Sequence, residues 1–265
     1  MTIIVRRPAP PLAELVTGIV YQAGAQPHAS VQKILPDAEP SLWVNLNRDE
    51  FRSLGGPRPG RVPGAMLAGP RSRALVTEFE AGRAHIWVSF ALGAAPAFFP
   101  APLAGAADEL VPLADLWGQC GGSLRDRLLA AAAPHEMVRV MEQVLLGQLA
   151  GQAGADLAVC AAARALSSGQ AVGQVADGLG LLPRTLRRRF TARVGLPPKR
   201  FARVQRLRRV TRALDGQAQA DWAAVAAEHG YCDQAHLIDE FQDLAGITPG
   251  DYLPSRLDGP NHLRA

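Results

Sequence analysis

Cysteine is scarce in this chain. Cys120, Cys160 and Cys232 are odd in number, far apart and without CxxC spacing. A disulfide framework and a zinc knuckle are therefore excluded, and a reducing compartment fits. No secretory leader is signalled, because MTIIVRRPAPP places its few apolar residues ahead of its arginines and the apolar run is too short. No membrane span is signalled either. The most apolar stretch, IWVSFALGAAPAFFPAPLAGAA, is interrupted by Pro96, Pro100 and Pro102 and reads as a strand followed by a loop. The expected setting is cytoplasmic. Metal-ligand spacing is also missing, since His28 and His85 stand 57 residues apart with no His/Glu cluster around them. The glycine-rich stretch Gly55 to Gly64 is not a phosphate loop: no Lys-Ser/Thr follows it and no helix is signalled. Neither a metal nor another cofactor is expected.

Two further absences are local. From Arg184 to Arg212 there are twelve Arg or Lys and no acid, and from Asp215 to Asp251 there are eight acids and no Arg or Lys. Charge blocked in this way points to a partner of fixed charge.

Apolar residues make up 48% of the 265, enough for a packed core in two domains. Residues 1–122 read as β-rich, with LWVNL (Leu42 to Leu46) and HIWVSF (His85 to Phe90) as short aromatic and β-branched runs. From Ser123 the texture changes to Ala, Leu, Arg and Glu. Residues 123–155 read as a helical connector with a candidate dimer element, Pro134 suiting a first helical position and GQAG (Gly151 to Gly154) a linker. Residues 156–256 read as helical, to about Leu253.

One phrase occurs twice. FTARVGLPPKRF (Phe190 to Phe201) and FQDLAGITPGDY (Phe241 to Tyr252) share aromatic, Gly, Pro and aromatic residues, each 51 positions apart. Upstream, Ala176 lies four before Gly180, as Ala226 lies four before Gly230. Each glycine precedes an apolar i,i+4 pair, Leu186/Phe190 or Leu237/Phe241, on one helical face. The unit is a short helix, a glycine turn and an amphipathic second helix, closed by Gly, Pro and an aromatic: a helix-turn-helix. An ordinary helix hairpin would give the apolar spacing but not the ordered match at six positions.

These residues, and AEHGYCDQAHLIDEFQDLAGITPGDY in particular, resemble the signature of AraC/XylS-type transcription regulators. The resemblance covers about residues 156 to 253 and implies two helix-turn-helix units joined by the helix FARVQRLRRVTRAL (Phe201 to Leu214). ILPDAEPSLWVNLN and ELVPLADLWG more weakly resemble the family's sensor domain. The implied fold class is α+β: a β-rich, cupin- or barrel-like sensor domain followed by an all-α reader.

A recognition helix presents its outward N-terminal residues to base edges in the major groove. In PRTLRRRFTARV these are Arg184, Arg187 and Arg188, the family's base-contacting positions carried onto this sequence; arginine can bind guanine bidentately. Arg189, Arg193, Lys199, Arg200 and Arg203 are expected at phosphate. A side-chain N-cap is missing, since Leu182 stands where the family often has Ser. In the second unit Gln234 could read adenine and Asp239 cytosine, but Asp239, Glu240 and Asp243 would repel phosphate. That unit therefore reads either as a base reader or as a support for the first. His236 is expected at the core or the groove edge. In the N-terminal half Trp43, Phe79, Trp87 and Phe90 are candidates to line a ligand pocket, the alternative being an ordinary β-core.

The expectation is a sequence-specific DNA-binding transcription regulator controlled through its N-terminal domain, with the first unit dominating contact. Its expected partners are double-stranded DNA, with RNA polymerase, a small molecule and a second copy of the chain as candidates. The alternative is a ligand-responsive protein–protein regulator with reduced DNA binding. A DNA-alkylation repair enzyme would need an activated thiolate. Cys120 and Cys160 lack charged neighbours, and Cys232, placed at the cap of the second recognition helix, has Asp233 beside it; no enzyme is expected.

Overall fold

A computed structural model describes residues 1–24, 30–55, 59–99, 102–150, 156–257 and 259–265. His28, the GQAG linker (Gly151 to Gly154) and positions 56–58 of the glycine-rich loop lie outside these residues.

The chain opens with β1 (Thr2–Arg6), β2 (Val16–Ala23), β3 (Ser30–Ile34), β4 (Ser41–Asn45) and β5 (Glu50–Ser53). It continues with β6 (Gly60–Pro63), β7 (Ala65–Ala68), β8 (Leu75–Phe79), β9 (Ala84–Phe90) and β10 (Leu110–Pro112). Then come α1 (Leu113–Trp117), α2 (Gln119–Gly122), α3 (Leu124–Leu129) and α4 (Pro134–Ala150). The second half holds α5 (Leu157–Ser167), α6 (Val172–Gly178), α7 (Pro183–Val194), α8 (Pro198–Ala213), α9 (Trp222–Glu228), α10 (Gln234–Ala245) and α11 (Pro249–Ser255). It closes with two strands, β11 (Arg256–Leu257) and β12 (Gly259–Arg264).

The strands form two antiparallel six-stranded sheets, ordered β1-β2-β9-β4-β7-β10 and β11-β12-β3-β8-β5-β6. Alternation along a strand divides the faces of the first sheet. On β9, Ile86, Val88 and Phe90 turn into a core shared with Leu42, Val44 and Ile19 and with Val138, Met141, Val144 and Leu145 of α4. Helix α4 thus buries its apolar stripe against the sheet. His85 and Trp87 point the other way and stack with Trp43 of β4.

This parity corrects one expectation. Phe90 stands three residues from Trp87, so it faces the opposite side, where it packs on Phe98 and Phe99 instead of lining a pocket. A second difference is the tail. The chain does not end with its helices: β12 pairs with β3, setting His262 opposite Ile34 and Leu263 opposite Lys33. Leu263 is fully buried in the same core as Leu35, Ala38 and the C-terminal helices. The two halves therefore share apolar core, and the last strand of the chain belongs to the first half's sheet.

The repeated phrase makes the same structure twice. Ala176 and Ala226 are buried between helices, and Gly180 and Gly230 turn the chain at φ +63° and +77°. Gly195 and Gly246 end the second helices in the left-handed region. Phe190 then meets Phe201 edge-on at 5.1 Å, as Phe241 meets Tyr252 at 5.7 Å. At Gly195 a side chain is barred twice over, by φ +91° and by Pro70, whose Cγ would lie 2.5 Å from an added Cβ.

Candidate nucleic-acid interface

Helix α7 begins at Pro183 after Leu182, which supplies no side-chain cap. Leu186, Phe190 and Val194 are buried. With that stripe fixed, Arg184, Arg187 and Arg188 come out exposed on the other side. Among the described residues none of the three is in an ion pair. Exposed arginines without an internal acid keep their five donors for an outside partner.

The other basic residues are placed differently. Arg189 donates to Asp156 at 2.9 Å, and Asp156 also caps α5. Arg200 and Arg203 both reach Asp243 at 2.8 Å. Arg203 also reaches Glu240 at 2.8 Å, and Arg206 takes both Glu240 oxygens while lying over the Tyr231 ring. Arg208 pairs with Asp37 of the N-terminal half. Lys199 is exposed and Arg193 half-buried. The phosphate candidates Arg189, Arg200 and Arg203 are thus held by acids of the chain itself.

Glu240 was expected to face phosphate. Instead its side chain is only 2% exposed and points inward at α8. Burial alone would raise its carboxyl, but hydrogen bonds and charge from Arg206 and Arg203 hold it below the usual range. Asp243 is likewise held low by Arg200 and Arg203 against the opposing effect of burial. Asp239 and Gln234 do face solvent. The cap of α10 is Asp233, which accepts from the His236 amide at 2.7 Å. Cys232 precedes it and is not the cap. His236 is half-buried, edge-on to Tyr231.

Sequence reasoning missed this network, although its signal was present. A block of arginines lies next to a block of acids along the chain, and the basic α8 packs on the acidic α10. Part of the fixed-charge partner implied by the blocks is internal.

The aromatic candidates separate. Trp43 and Trp87 line a cavity between the sheets, and Phe79 borders a smaller recess beside it that Trp43 also lines. The helices of the second half also grip the first half directly. Arg200 donates to the Ser72 carbonyl at 3.1 Å, the Ala74 amide to Leu244 at 2.9 Å, and Lys33 to the Gly246 carbonyl at 3.2 Å.

Residues 175–255 match a helix-turn-helix domain family, and residues 5–112 match a domain of unknown function (DUF6597). No curated protein sequence matches the chain. Among solved structures, ToxT of Vibrio cholerae O395 bound to (E)-4-(8-methylnaphthalen-1-yl)but-3-enoic acid has a similar fold. It aligns at TM-score 0.50 and 10% identity over 88% of this chain and 98% of its own. Unsaturated fatty acid bound ToxT of Vibrio cholerae strain SCE256 aligns at 0.50 and 7% identity over 89% and 94%. At such identities the likeness shows the fold: a sheet-rich first half followed by a helical second half.

Proposed function

We propose that this chain, which carries an AraC-type pair of helix-turn-helix units, is a sequence-specific DNA-binding transcription regulator controlled through its N-terminal half. The observation that carries the reading is the contrast between two faces. Arg184, Arg187 and Arg188 stand exposed without an ion-paired acid among the described residues, whereas Arg200, Arg203 and Arg206 of α8 are taken by Glu240 and Asp243. The first unit then reads base edges, with Lys199 and Arg193 toward phosphate, and the second unit chiefly supports it.

Residues 1–122 act as sensor, 123–155 as connector and 156–256 as reader, with a cytoplasmic setting. RNA polymerase and a second copy of the chain are further partners in this reading. A small-molecule effector is part of it too, since the similar ToxT structures hold an unsaturated fatty acid and a butenoic acid derivative. The second reading is a protein–protein regulator with reduced DNA binding. It is favoured by the neutralised face of α8.

Titration against DNA from upstream of its own gene and against scrambled DNA, at several salt concentrations, separates the two readings. Tight, sequence-dependent binding with a slope of a few phosphates, at about −0.9 each, is expected. Sequence-blind, weak binding in every salt, with and without an occupant of the N-terminal half, favours the second reading.

A further inference from the structure

Between the two sheets lies a cavity of about 290 Å³. Its wall is not assembled from the N-terminal half alone. Arg208 comes from α8, the helix joining the two helix-turn-helix units, and His262 from the tail strand β12. A separate apolar recess of about 30 Å³ shares Ile34, Trp43 and Arg71 with it.

The charge on this wall is unbalanced. Arg71, Arg83 and Arg208 line it against one carboxylate, Asp37, and Arg208 already pairs with that. Asp108 lies near Arg71 but is held by the Ser72 amide and hydroxyl, at 2.6 and 2.8 Å. Burial pushes His85 down to about 3 and His262 to about 4, so both rings are neutral at pH 7. Among the described residues Arg71 and Arg83 have no carboxylate partner. Arg71 is 8% exposed, and its Nε is without a hydrogen-bond acceptor. Arg83 Nε and Nη1 and His85 Nδ1 lack hydrogen-bond partners as well, the Arg83 guanidinium lying over the Phe79 ring at 3.9 Å. A buried guanidinium without an acceptor is unfavourable, and a planar oxyanion is the group its fork fits.

The cavity is also lined by a group of stacked aromatic rings. Trp43, His85 and Trp87 lie with centroids 5.0–5.5 Å apart and planes within 16–21° of each other. A further planar ring gains offset or edge-on contact with such a group.

We propose that this cavity binds a small aromatic carboxylate, its carboxylate taken by Arg71 and Arg83 and its ring set against Trp43 and Trp87. This names the ligand class for the control site of the preceding reading, and it rests on that reading only for its regulatory meaning. Because Arg208 and β12 complete the wall, the occupant touches both halves of the chain at once. Its binding energy then bears on how the reader is held.

The test is calorimetric titration of the full chain, without DNA, using indole-3-acetate, its neutral counterpart indole-3-acetamide, and palmitoleate. The expected result is saturable binding of indole-3-acetate, with the amide weaker by about tenfold or more, the size of a lost charge-assisted contact. Arg71→Gln and Arg83→Gln are each expected to weaken indole-3-acetate by a similar factor. Should Arg71→Gln fail to fold, Arg83→Gln, at a less deeply buried position, carries the test. Any of four results overturns the proposal: no saturable binding, equal binding of the amide, preference for palmitoleate, or undiminished binding by Arg83→Gln. The measurement omits DNA, so failure of the DNA-binding reading is seen separately.

Discussion

Arg206 and Glu240 form a two-point pair between α8 and α10, Nε to Oε1 at 2.9 Å and Nη2 to Oε2 at 2.7 Å. Glu240 is buried where its neighbour Asp239 is exposed. One turn of α10 therefore holds two acids with different tasks. Glu240 fastens α10 to α8, and Asp239 faces outward.

Removing the Glu240 charge leaves Arg203 and Arg206 facing a neutral amide. Glu240→Gln is expected to lower stability by about 3 kcal/mol, toward the low end for a broken buried pair because the arginines are partly solvated. The Glu240 carboxyl is held below its usual value in the folded chain. Its contribution is thus present above the unfolded value near 4.5 and lost as pH falls through the lower folded value. Urea melts of both proteins from pH 7 to pH 3 should show the gap closing toward acid.

Asp239→Arg tests the outward acid. If Asp239 only repels phosphate, the change tightens binding to all DNA and steepens the salt dependence by about one phosphate. Weaker binding confined to the specific site would show that Asp239 reads a base.

Glu39 gives the opposite pH trend. It is buried, accepts from the Gly93 amide at 3.2 Å, and leaves Oε1 without a partner. Burial pushes its carboxyl up to about 8 from a usual 4.5. The unfolded chain releases this proton first, so the Glu39 contribution to stability falls as pH rises from about 4.5 to about 8. The slope is at most about 1.4 kcal/mol per pH unit. Glu39→Gln should flatten this part of the profile in urea melts between pH 5 and pH 8.

The tail strand gives a fourth expectation. Leu263 is fully buried where β12 meets the C-terminal core. Leu263→Ala should cost about 2–5 kcal/mol by the usual cost of truncating a core leucine, read by urea denaturation. An unchanged midpoint would mean that the tail does not join the two halves in solution.

Local pattern made some of these features legible and hid others. The duplicated Ala, Gly, aromatic and Pro positions each carry a backbone or packing requirement inside one helix-turn-helix, so the sequence announces both units. The strands at Leu42 and His85 are also local signals. Grouping Phe90 with Trp87 failed because an odd separation on a strand puts side chains on opposite faces. The pairing of β12 with β3 joins residues more than two hundred positions apart and leaves no local trace. Nor does a list of charges say that Glu240 turns inward: Phe241 and Leu237 set the buried stripe of α10, and Arg203 and Arg206 then capture its edge. The cavity between the sheets was half legible, in Trp43 and Trp87, while Arg71 and Arg83 sit in ordinary-looking loops.

The most direct test is to compare the chain with a variant in which Arg184, Arg187 and Arg188 are all changed to Ala, titrating each against its upstream DNA over a range of salt. The account predicts a loss of sequence preference, with about 1–3 kcal/mol lost for each arginine that reads a base. It also predicts an unchanged melting temperature, because none of the three is buried or ion-paired among the described residues. Retention of specific binding by the variant would place readout elsewhere and contradict the account.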